Sequence, residues 1–101
     1  MEDSPEMQND LGKASIIVTV LNEGDEIRSL LNSFAEQSLK PDEIVIIDGG
    51  STDSTVAVIV ECAKRMPEIR LFEEPGVNIA TGRNIGIMHA RNEIVVVTDG
   101  G

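Results

Sequence analysis

The chain has 101 residues and a mass of 10.9 kDa, which bounds it at one domain. It is 41% hydrophobic and 26% charged, a globular balance and not a disordered one. The net charge of −10 argues against DNA or RNA as the main partner, and the single cysteine, Cys62, excludes an internal disulfide and a cysteine metal cluster. The longest apolar runs, such as Ala57 to Val60 and Ile94 to Val97, fall far short of the roughly 20 residues of a membrane span. The acidic N-terminus shows no basic region followed by an apolar stretch, so no secretory signal is read and a cytoplasmic location is expected.

Residues 1–13 read as an acidic flexible tail, in which Glu2, Asp3, Glu6 and Asp10 are balanced only by Lys13. The rest, 14–101, reads as one α/β domain. Ser15 to Leu21 is a β-branched run expected to form a strand buried on both faces. Asn22 is expected to cap a helix starting near Glu23, whose stripe is Ile27, Leu30, Leu31 and Phe34. Ser38 to Asp42 breaks that helix, and Glu43 to Asp48 forms a second buried strand. Gly49 to Asp53 is a turn ending in capping residues. A second helix follows over Ser54 to Arg65, with Val56, Ile59, Val60 and Ala63 expected on its inner face. Pro67 stops it, Ile69 to Phe72 is a short strand, and Glu74 to Asn78 is a loop. Ala80 to Ala90 reads as a third helix weakened by Gly82 and Gly86, before a last strand over Glu93 to Thr98 that Asp99 ends.

The order β-α-β-α-β-α-β implies a parallel sheet with right-handed crossovers. Ligands of such sheets bind outside the C-terminal strand ends. Those ends carry Thr19, Leu21 and Asn22; Asp48, Gly49, Gly50 and Ser51; and Thr98, Asp99 and Gly100. No P-loop is present, no G-x-G-x-x-G follows the first strand, and Ser51 with the lone His89 makes no credible triad. Two carboxylates at strand ends beside glycines remain, and oxygen ligands suit a hard cation such as Mg²⁺ or Mn²⁺.

Several segments match one family. Ile16 to Glu23 looks like an opening V-I-I-P-x-Y-N-E strand, and Ser33 to Ser38 is similar to an S-x-x-x-Q segment. Glu43 to Thr55 looks like an E-I-I-V-V-D-D-G-S-T-D-G-T signature. Gly82 to Gly86 resembles an A-R-N-x-G helix start, and Ile94 to Asp99 resembles the strand leading into a D-x-D motif. With these motifs in order, Ser15 to Gly101 resembles the family 2 glycosyltransferases of the GT-A fold, a Rossmann-like three-layer α/β/α sandwich with a mainly parallel sheet. The resemblance implies transfer of a sugar from a nucleotide-diphospho-sugar donor to an acceptor that the sequence does not name. It implies that Thr19, Leu21, Asn22 and Glu23 lie by the base and ribose, that Asp48 lines the nucleoside pocket, and that Asn78 and Arg83 lie near the nucleotide. It makes Asp99 the first D-x-D residue and the expected metal ligand. The acceptor half and the catalytic base are expected after Gly101, so the chain reads as a donor-binding half, inactive alone.

Three positions depart from the family pattern. Leu21 stands where the family has an aromatic, Gly49 replaces the second Asp of the D-D-G-S signature, and Gly101 takes the place of the second D-x-D aspartate. Simpler roles stand beside the functional ones. Asp53, Ser51 and Thr52 suit helix capping, Gly50 either turns the loop or presents backbone to a ligand, and Arg83 either binds phosphate or pairs with an acid. His89 and Cys62 read as plain helix residues. Rival readings are a sugar nucleotidyltransferase-like domain and a receiver-like module using Asp48 as phosphoacceptor. An unpaired sheet edge after the fourth strand is expected to invite association.

Overall fold

A computed structural model of the chain describes residues 14–36, 41–92 and 95–99, the last as backbone. The expected tail over 1–13, most of the helix breaker, the first two residues of the last strand, and Gly100 and Gly101 lie outside the described residues. The elements are β1 (Ser15–Val20), α1 (Glu26–Ala35), β2 (Glu43–Asp48), α2 (Thr55–Arg65), β3 (Ile69–Glu73), α3 (Ile79–His89) and β4 (Val95–Asp99). Their order matches the sequence reading.

The four strands form one sheet in the order β3-β2-β1-β4, with every neighbouring pair parallel. Ser15 pairs with Glu43 and with Val95, and Ile44 pairs with Ile69. All six residues of β1 and of β2 are buried, as a central parallel strand requires when both faces are covered. One face carries Ile16, Val18, Val20, Ile44 and Ile46 against α1 and α2. There α1 buries Ile27, Leu31 and Phe34, with Leu30 packed at the margin. The stripe of α2 is rotated from the expected one. Thr55, Val58, Ile59 and Cys62 are buried while Val60 is 49% exposed. This set keeps the i, i+3, i+4, i+7 spacing, and its start is set by Thr55, which bonds to both flanking loops.

The other face carries Ile17, Val45 and Ile47 under α3. The expected weakness of this helix at Gly82 and Gly86 has a different meaning in three dimensions. Both glycines are buried against the sheet. A Cβ on Gly86 would stand 2.4 Å from Ile17 Cγ2, and one on Gly82 would stand 3.3 Å from Thr19 Cγ2. The low helix propensity of glycine is therefore offset by a close approach that a Cβ would block at Gly86 and crowd at Gly82. His89, read as a plain helix residue, stacks on Phe72 at 3.9 Å between ring centres, with the Arg70 guanidinium 5.2 Å from the Phe72 ring.

The N-terminal edge of the sheet is held by one buried carboxylate, Glu43. It accepts hydrogen bonds from the Ser15 hydroxyl at 2.8 Å and from the Arg91 backbone N–H at 2.9 Å. It also pairs with the guanidinium of Arg70 and, at 3.3 Å, with that of Arg91. Burial pushes the Glu43 pKa up, but the bonds from Arg91, Arg70 and Ser15 outweigh it and hold the group below its ordinary 4.5. Asn92 extends the network, donating to Ser15 Oγ and to Asp42.

Two outcomes are expected. Gly86→Ala lowers stability by about 1–3 kcal/mol, the cost of overpacking, read as a shift of the urea midpoint; an unchanged midpoint would contradict the close approach of α3. A carboxylate with a depressed folded pKa contributes stability that is present above its unfolded pKa and lost as pH falls through the folded one. The loss of stability below about pH 4.5 is therefore steeper in the natural chain than in Glu43→Gln, which is already destabilised by about 1–3 kcal/mol at pH 7. Parallel acid-unfolding curves would remove Glu43 from this role.

Candidate functional site

Three loops leave the C-terminal edge of the sheet side by side: 21–25 after β1, 49–54 after β2, and 74–78 after β3. Asp48 organises the second. It is 1% exposed, and its Oδ2 accepts from the backbone N–H groups of Gly50 (3.1 Å) and Ser51 (3.0 Å). Its Oδ1 accepts from the Ser51 hydroxyl at 2.5 Å. These bonds fold the loop over the strand end, and the turn needs Gly50 at φ +110°, a left-handed conformation open to glycine. A carboxylate enclosed and bonded in this way is not presented as a phosphoacceptor, which counts against the receiver-like reading.

Asn22 does not cap α1. The helix begins three residues later than expected, with Asp25 at its N-cap position and no side-chain cap. Asn22 instead takes φ +54° and reaches across to the second loop. Its backbone N–H donates to Ser51 Oγ at 2.8 Å, and its Oδ1 accepts from the Thr52 N–H at 2.8 Å. Gly24 N–H donates to Thr55 Oγ1 at 2.9 Å. Thr55 in turn donates through its hydroxyl and its N–H to Asp53 Oδ1, which holds that carboxyl below its usual range. The expected capping is corrected: the N-cap position of α2 is Ser54 and has no side-chain cap, Asp53 accepts from the first helical N–H, of Thr55, and Ser51 and Thr52 bond instead to Asp48 and Asn22.

A cleft of about 720 Å³ opens where the first and third loops face each other. Thr19, Val20, Leu21 and Glu23 line it from the end of β1 and the first loop, and Gly49 from the second. Val77, Asn78, Ile79, Ala80 and Gly82, the entry into α3, complete the lining. Asn78 caps that helix, its Oδ1 accepting from the Thr81 N–H at 2.8 Å. Leu21 and Ile79 are 53% and 56% exposed, so their aliphatic surface is open to a ligand in the cleft.

Of the residues expected at the site, Thr19, Leu21, Glu23 and Asn78 line this cleft. Asn22, Asp48 and Gly50 do not; they build the loops around it. Arg83 lies one turn into α3, lining a second, open cavity with Ala80, Asn84 and Ile87. The backbone of Asp99 ends β4 in register with Thr19. Among the described residues no group of three His, Cys, Asp or Glu could hold a metal ion. Sequence reasoning missed Val20, Val77, Ile79, Ala80 and Gly82. An apolar pair flanking a capping Asn, just before a helix glycine, is the signal that marks the last four.

Comparison with known proteins places the fold and the family. The chain is 33% identical over 92% of its length to an uncharacterised glycosyltransferase, YibD, of Escherichia coli, and covers 27% of that protein. It is 27% identical over 87% of its length to a cholesterol galactosyltransferase of Borreliella burgdorferi, covering 25% of it. Among solved structures, the mannosyltransferase PcManGT of Pyrobaculum calidifontis, in complex with GDP-Man and Mn²⁺, aligns with a TM-score of 0.79 and 33% identity over 87% of this chain and 27% of that one. TarS 1–349 of S. aureus, in complex with UDP-GlcNAc, aligns with a TM-score of 0.76 and 31% identity, over 87% of this chain and 26% of that one. The chain thus spans about a quarter of the length of these proteins. Its fold is that of the GT-A enzymes, residues 15–100 match the family model for Glycosyl transferase family 2, and the chain belongs to that family.

Proposed function

We propose that this chain is the donor-binding part of an enzyme that transfers a sugar from a nucleotide-diphospho-sugar to an acceptor. The carrying observation is the cleft at the C-terminal strand edge, closed on one side by the first turn of α3. Parallel α/β sheets bind ligands at that edge. A helix N-terminus offers backbone N–H groups and a positive dipole end to an anion such as a diphosphate. Two relatives of solved structure are complexes with such donors, GDP-Man and UDP-GlcNAc.

In this reading Leu21 and Ile79 supply aliphatic cover for the base, in place of aromatic stacking. Thr19 and Glu23 offer polar groups to the nucleoside, and Asn78 with the start of α3 faces the phosphates. Arg83, on the same helix as Ala80, supports the phosphate end. Asp48, Asn22 and Gly50 support the cleft as loop builders. A divalent cation, Mg²⁺ or Mn²⁺, would neutralise the diphosphate against an acidic chain. Asp99 is the one described residue assigned to it, and a single carboxylate does not make a site, so no step is derived through the metal.

The reading predicts that UDP or GDP binds, measured by calorimetry, and that Mn²⁺ strengthens the binding relative to EDTA. Heat from neither nucleotide under either condition would sink the proposal, and binding indifferent to Mn²⁺ would remove the metal from it. Leu21→Asp places a charge on the base-covering wall at an exposed position. It is expected to weaken nucleotide binding about tenfold while stability changes by no more than about 0.5 kcal/mol. Unchanged affinity would place the base elsewhere.

A further inference from the structure

Two of three consecutive residues, Leu21 and Glu23, line the cleft, and Asn22 between them does not. Asn22 is exposed, adopts the left-handed φ of +54°, and spends its backbone N–H and its side-chain oxygen on the neighbouring loop. Asparagine adopts this φ more readily than other non-glycine residues, and here bonds from its backbone and its side chain fix it. Those bonds belong to a continuous chain of donors and acceptors. The Asn22 N–H donates to Ser51 Oγ (2.8 Å), and the Ser51 hydroxyl donates to the buried Asp48 carboxylate (2.5 Å). Asp48 also fixes the Ser51 and Gly50 N–H groups, and the Thr52 N–H returns to Asn22 Oδ1 at 2.8 Å. Ser51 is the junction, since its one hydroxyl accepts from the first loop and donates to the strand end.

We propose that Ser51 is a positioning residue for the donor cleft. It relays the fixed orientation of Asp48 to Asn22, and the turn at Asn22 sets Leu21 and Glu23 on the cleft wall. The buried carboxylate then acts on the ligand through two bonded intermediates and without touching it. The chain of bonds is a property of the ligand-free protein, whereas its effect on a nucleotide rests on the donor-binding reading above. A free hydroxyl at this place would have no reason to be held at both ends. The side chain of Ser51 is half-buried and lines no cleft wall.

The test compares Ser51→Ala with Ser51→Thr, which keeps the hydroxyl. Amide hydrogen exchange is measured without ligand, and UDP and GDP are titrated by calorimetry. Ser51→Ala is expected to speed exchange at Asn22 and Thr52 about tenfold, leave the amides of Val18 and Ile46 unchanged, and weaken nucleotide binding about tenfold; Ser51→Thr restores both. Exchange at Asn22 and Thr52 that does not change in Ser51→Ala overturns the relay. Faster exchange with unaltered affinity overturns its role in positioning. A loss of affinity that Ser51→Thr fails to restore, with exchange normal, makes Ser51 a direct contact and also overturns it. If the natural chain binds neither nucleotide, the donor-binding reading fails, and the exchange measurement still decides whether the relay exists.

Discussion

The burial of β1 and β2 on both faces is the constraint from which the rest follows. Two runs of six buried strand positions demand cover above and below, and in a parallel sheet only crossover helices supply it. The first two crossovers put α1 and α2 on one face, and the third puts α3 on the other. Each crossover must leave the sheet at its C-terminal edge. The loops that carry Leu21, Gly49 and Asn78 therefore meet at one place because the core is closed, before any ligand enters the account.

The two sheet edges divide the polar work. At the N-terminal edge Glu43 is buried among Ser15, Arg70 and Arg91, and its bonds are spent on holding elements together. At the C-terminal edge Asp48 is equally buried, and its bonds shape a loop. Burying a carboxylate is costly unless donors meet it, and both are met. The cleft walls are instead left to exposed aliphatic groups and to residues such as Glu23 and Asn78, which keep their contact with solvent. This gives a rigid frame with a soft interior.

Element order and strand identity were legible because the apolar runs are long and β-branched, and the helix stripes of α1 keep a clear period. The inner face of α2 was not, because Val56, Val58, Ile59 and Val60 crowd both sides of the helix and periodicity alone does not choose between them. The tie from Thr55 to both loops does. Gly82 and Gly86 looked like defects because propensity is a local quantity, while their value lies in contact with Thr19 and Ile17, more than sixty positions away in the sequence. The sequence marks the place of the site more than the role of each residue. Thr19, Leu21, Glu23 and Asn78 line the cleft, whereas Asn22 and Asp48, which the sequence sets beside the nucleoside, spend their side-chain oxygens on the second loop. A sequence shows that a polar group stands at a strand end; it does not show that neighbouring amides have already claimed its oxygens.

The grip of Glu43 on Arg91 has a consequence at the far end of the molecule. Arg91 and Asn92 begin the connection from α3 into β4, and Glu43 and Ser15 hold both. Strand β4 therefore follows a start pinned at Arg91 and Asn92, and its four steps of about 3.3 Å from Val95 run roughly 13 Å to the backbone of Asp99, in register with Thr19. A strand slides as a unit, so a slip at its start becomes a slip at its tip. The backbone beside Thr19 is thus set from behind, and natural variation near Glu43 has the means to shift it from outside the cleft.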